Sequence, residues 1–68
     1  MTQTINWVTG ERAVVGNAKR TTATIELRPF NKGWHVKRLK PDGTVRSWAE
    51  CDTIRRAEYY ALTGDFPA

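Results

Sequence analysis

Residues 22–28 alternate strictly, with Ala23, Ile25 and Leu27 on one side and Thr24, Glu26 and Arg28 on the other. That period of two is the signature of a half-buried strand. Asn31-Lys32-Gly33 follows, and Asn and Gly tolerate the positive φ of a three-residue hairpin loop. A second strand runs from Trp34 to Lys40. It ends at Pro41-Asp42-Gly43, where Pro presets φ and Gly accepts the left-handed conformation. A third strand is predicted from Thr44 to about Trp48.

Three-residue loops at both turns fix a register. Phe30 then faces Trp34, Glu26 faces Arg38 and Ile25 faces Leu39. Across the second turn Lys40 faces Thr44, Leu39 faces Val45, Arg38 faces Arg46 and Val36 faces Trp48. One face would gather Ala23, Ile25, Leu27, Leu39, Val45 and Ala49. The other would carry Phe30, Trp34, Val36 and Trp48 at one end and Glu26, Arg38, Lys40 and Arg46 at the other. A slip of one residue moves a whole strand's side chains to the opposite face, so this register is a strict expectation.

The last third has helical spacing. Asp52 suits an N-cap, Ile54, Ala57, Ala61 and Leu62 recur on one face, Gly64 suits a C-terminal stop, and Pro67 lies just beyond. Ser47-Trp48-Ala49-Glu50 also fits a capping box, but the cross-strand partner assigned to Trp48 favours the later start. Residues 1–21 read in two ways. Ile5–Val8 and Ala13–Val15 form two short strands about Thr9-Gly10-Glu11, or an irregular flap over the aromatic end of the sheet, and 16–20 is a polar basic connector. The predicted architecture is α+β: a three-stranded antiparallel meander over 22–49, packed against one C-terminal helix at 52–63, with a short N-terminal strand or hairpin within 1–21.

Length narrows the choices further. Sixty-eight residues, 40% of them hydrophobic, make one small domain. Ordering such a chain costs on the order of 100 kcal/mol, about 1.5 per residue, which leaves no room for a two-domain enzyme or a nucleotide-binding α/β fold. The single Cys51 cannot form an internal disulfide. No apolar run of membrane-spanning length and no signal-peptide pattern is present, so an intracellular, cytoplasmic location is expected. His35 is the sole histidine and has no acid near it in sequence, and one His with one Cys does not make a metal cage. The chain is expected to be non-catalytic, without cofactor or metal.

Charge points to a partner. Eleven basic residues against seven acidic give a net charge of +4, with a pI near 9.7. Several basic residues fall on neighbouring strands, and an Arg38–Arg46 pair would cost stability unless a polyanion compensated. Aromatic residues share the face, the mixture used against nucleic-acid backbones and bases. The expected nucleic-acid-binding residues are Lys19, Arg20, Arg28, Arg38, Lys40 and Arg46, with duplex DNA favoured over RNA.

Residues 33–61 also resemble the arm-type DNA-binding domain of tyrosine integrases and related mobile-element proteins. Gly33-Trp34 opens a strand, Asp42-Gly43 makes the turn, the third strand is basic, and Ala57-Glu58 lies on the following helix. The resemblance implies a three-stranded sheet backed by one helix, with the opposite sheet face entering the major groove and outward roles for Arg28, Arg38, Lys40 and Arg46. The step from Trp48 to Ala57 is longer than the family's. It implies a free-standing DNA-binding module of phage or mobile-element type.

A second function class competes with this one. A small protein-binding inhibitor or adaptor, of the phage anti-defence or host-takeover kind, would use aromatic anchors such as Trp34, Tyr59 and Tyr60. Tyr59 and Tyr60 cannot both face the sheet, so one of them is expected at the surface. A homodimer is favoured over the monomer, because a chain of this size without staples gains a fuller core and covers the free edge of strand 22–28.

Overall fold

A computed structural model describes residues 3–17 and 19–66. Five strands follow one another: β1 (Thr4–Thr9), β2 (Arg12–Asn17), β3 (Arg20–Leu27), β4 (Trp34–Leu39) and β5 (Val45–Cys51). They pair in chain order as one antiparallel sheet, and a single helix, α1 (Ile54–Thr63), closes the chain. The α+β class holds, but the three-stranded sheet does not. The described N-terminal residues are not a flap: β1 and β2 make a hairpin that pairs onto β3, with Val15 facing Ala23 and Ala13 facing Ile25.

Burial explains why the hairpin joins. The helix packs chiefly on β3, β4 and β5, because ten residues make a rod about 15 Å long and 10 Å wide. Ala23 and Ile25 would be open to water along the free edge of β3. Ala13 and Val15 complete that surface and become fully buried themselves. Trp7 then leans from β1, meets Trp34 edge-to-face at 5.3 Å, and donates its indole N–H to Glu58 Oε2 on the helix at 3.1 Å. The edge of strand 22–28, open to residues 5–15 of the same chain or to a second chain, is covered by β2 of the same chain. The 16–20 connector likewise belongs mostly to β2 and β3, which meet through Asn17 and Arg20.

Register corrects the expected faces as well. Trp34 faces Leu27 instead of Phe30, Glu26 faces His35 instead of Arg38, and Ile25 faces Val36 instead of Leu39. The loop is longer than three residues: Arg28 N donates to Gly33 O, and a 3₁₀ turn occupies Pro29–Asn31. Phe30 and Asn31 both take positive φ there, at 62° and 55°. The pairing shifts by three residues, an odd number, so every β4 side chain changes face. Val36 and Trp34 turn toward the helix, and so does Arg38.

The second turn begins as expected, with Lys40 N bonded to Thr44 O and Leu39 facing Val45. A bulge then inserts one residue, so Val36 faces Ala49, Trp48 faces Lys37, and Arg38 faces Ser47 rather than Arg46. β5 also runs on to Cys51, past the expected end near Trp48.

The helix begins at Ile54, and Thr53, not Asp52, is its N-cap: the Thr53 hydroxyl accepts from Arg56 N at 3.2 Å. The predicted stop stands. Gly64 has φ 82° and donates its N–H to Tyr60 O. Pro67 lies outside the described residues. Ala57, Tyr60 and Ala61 bury against Val15, Ile25, Val36, Ala49 and Cys51, and the Tyr60 hydroxyl bonds Ser47 Oγ at 3.1 Å.

Candidate nucleic-acid interface

One face of the sheet carries the helix, and among the described residues no layer covers the other. Strand alternation puts Ser47, Ala49 and Cys51 toward the helix, and therefore Trp48 and Glu50 on the open face. A row crosses all five strands there: Asn6, Val14, Thr24, Lys37 and Trp48. The next row holds Arg12, Glu26, His35 and Glu50. His35 and Trp48 are diagonal neighbours across the β4–β5 pair, and their rings stack at 5.3 Å with only 18° between planes. Trp48 nonetheless remains 60% exposed.

Charge is distributed by topology. In an antiparallel meander alternate turns share an end, so the β2–β3 and β4–β5 turns lie together, about 10 Å apart across two strand spacings. The helix runs back to the same end and stops there. That end gathers Lys19, Arg20, Arg38, Lys40 and Arg46 against Asp42 and Asp65. The opposite end sets Arg12, Arg28, Lys32, Arg55 and Arg56 against Glu11, Glu26, Glu50 and Asp52. Most of the net positive charge is therefore at one end.

The opposite end also pairs its charges. Arg28 Nη1 meets Glu50 Oε2 at 2.9 Å and Arg56 Nη1 meets Asp52 Oδ1 at 3.2 Å. Among the described residues these are the ion pairs, and neither involves the basic end. Asp42 is ionised there and subtracts a charge: the Thr44 hydroxyl and backbone N–H both donate to Oδ1, at 2.7 and 2.9 Å, and hold its carboxyl below the usual range. From the Asn6–Val14 end of the Trp48 row to the β2–β3 turn runs a shallow recess of about 180 Å³ lined by Asn6, Val14, Asn17 and Arg20 among others. Gly16 lets the two strands close at this bulge, since a Cβ there would strike the Arg20 carbonyl oxygen.

The residues expected to bind nucleic acid divide three ways. Lys19, Arg20, Lys40 and Arg46 are exposed and share the basic end. Arg28 sits at the other end, held by Glu50. Arg38 turns to the helix face, where its guanidinium lies against Gly64. A cation at a helix C-terminus is favoured by the aligned peptide dipoles, which gives Arg38 a structural role. Of the aromatic anchors for a protein partner, Trp34 is half-buried against the core and Tyr60 is buried, while Tyr59 is 45% exposed.

Lys37, His35 and Trp48 were not among the expected site residues. The loop at 28–33 hid the first two, because an assumed three-residue turn assigns β4 the wrong parity. The signal for Trp48 was its neighbour Ala49, whose place on the aliphatic face puts Trp48 on the other. Burial first, and then the Asp52 charge, push the thiol of the buried Cys51 above its ordinary pKa. No family model, no curated protein and no solved structure matches the chain.

Proposed function

We propose that the protein is a non-catalytic nucleic-acid-binding module that takes phosphates on the end formed by the β2–β3 and β4–β5 turns. The observation that carries this reading is the cluster of Lys19, Arg20, Lys40 and Arg46, exposed and outside the ion pairs of the described residues. Gathering like charges at one end costs Coulomb energy in the free protein. A polyanion repays that cost by releasing its condensed counterions. The open sheet face beside this end carries Lys37 and an exposed aromatic, the usual complement to phosphate contacts. The protein-binding reading has less support, since of Trp34, Tyr59 and Tyr60 only Tyr59 is exposed.

Fluorescence anisotropy with a labelled oligonucleotide, titrated at several salt concentrations, tests the reading. Four phosphate contacts predict a slope of log affinity against log salt of roughly −3.6 on duplex and −2.8 on single strands. Replacing Lys40 and Arg46 together by Gln should reduce the slope by about half. Absence of binding at low salt, or a slope that ignores the substitution, overturns the proposal.

A further inference from the structure

We infer that the open sheet face selects single-stranded nucleic acid, with one unpaired base stacked on Trp48 and its backbone running toward Lys40 and Arg46. The inference rests on the nucleic-acid reading and names its substrate class. Trp48 is the starting point. The indole stands on the side of the sheet away from the helix and contributes nothing to the core, yet the fold leaves 60% of it in water. His35 covers one side of it in a near-parallel stack. A ring held against a neighbour in this way is an aromatic platform arranged before any ligand arrives, which lowers the ordering cost of binding.

The surroundings suit a base and a phosphate chain. Lys37 lies directly across from Trp48 on β4, close enough to serve a phosphate next to the stacked base. Beyond Lys37 in the same row Thr24, Val14 and Asn6 are neutral and lead to the recess near Arg20. From Trp48 to Arg46 is two residues along β5, about 7 Å. Beyond His35 the charges balance, with Glu26 across from Arg12 and Glu50 paired with Arg28. The potential therefore rises from that end through Trp48 to the basic end, which directs an anionic strand one way.

The same geometry argues against a duplex at this spot. Paired bases inside a duplex have both faces covered by neighbouring base pairs, so they cannot stack on a side chain without being unstacked first. A single strand offers its faces freely, and base–aromatic stacking tolerates any sequence.

The test compares labelled dT₁₂ with a 12-base-pair duplex at one low salt concentration, using the full chain and its Trp48→Ala and Trp48→Phe variants. Circular dichroism confirms that each variant is folded. Trp48→Ala should weaken dT₁₂ binding roughly ten-fold or more and leave the duplex within about two-fold. Trp48→Phe should retain most of the single-strand affinity. If Trp48→Ala weakens both ligands equally or neither, the stacking inference fails while salt-dependent binding still stands. If neither ligand binds the unsubstituted protein at low salt, the nucleic-acid reading itself fails, and the inference with it.

Discussion

Val15→Ala set against Val14→Ala tests the N-terminal hairpin as part of the sheet. The two valines are neighbours on β2 with opposite fates: Val15 is fully buried between Ile5 and Ala23, and Val14 is half-buried on the open face. Removing two carbons from Val15 loses about 1.6 kcal/mol of transfer energy at 0.8 per methylene. A further ~1 kcal/mol follows if the void does not collapse, so the cost is about 2–3 kcal/mol. A chain this small has a total stability of roughly 3–10 kcal/mol. At about 4–8 °C per kcal/mol, Val15→Ala should lower the melting temperature by some 10–20 °C. Val14→Ala should cost less than half as much, mainly through lower strand preference. Thermal and urea denaturation followed by circular dichroism measure both. Equal losses for the two variants, or no loss for Val15→Ala, would refute the five-stranded register.

Three other outcomes are expected. Phe30 is 90% exposed at φ 62°, so Phe30→Asn loses no burial and relieves left-handed strain, raising stability by about 1 kcal/mol in urea titration. Gly33 has φ 104°, and a Cβ there would come 2.5 Å from the Cys51 carbonyl oxygen; Gly33→Ala should cost more than ~2 kcal/mol in the same assay. Because burial raises the Cys51 pKa in the folded state, the thiolate is disfavoured there. The stabilising difference is complete below the unfolded thiol's pKa of about 8.5 and is lost as pH rises above it. Unfolding free energy should fall more steeply above about pH 9 in the parent than in Cys51→Ala, and the folded thiol should react slowly with a disulfide reagent.

What the sequence revealed follows the reach of its signals. The alternation at 22–28, the Asp42-Gly43 turn and the Gly64 stop are local and strong, and each appears in the structure. The hairpin of β1 and β2 was visible as Ile5–Val8 and Ala13–Val15, but its place beside β3 depends on how much of the sheet a ten-residue helix can cover, a tertiary quantity. The β4 parity was hidden because Phe30 takes a left-handed conformation that nothing about a bulky aromatic announces. That loop carried Arg38 from the supposed binding face to the helix C-terminus and, together with the β4–β5 bulge, brought His35 and Lys37 beside Trp48. Lys19, Arg20, Lys40 and Arg46 kept their place near turns, which depends on strand order and not on parity.

The central claim, that a polyanion seats on the end shared by the β2–β3 and β4–β5 turns, is tested most directly by amide and indole chemical-shift mapping. A ¹⁵N-labelled sample titrated with dT₁₂ at low salt should shift the amides of Lys19, Arg20, Lys40 and Arg46, and the Trp48 indole N–H with them. The Trp7 indole, bonded to Glu58, should stay in place. Shifts confined to the 28–33 loop or to Arg55 and Arg56 on the helix, with the basic end silent, would contradict the account.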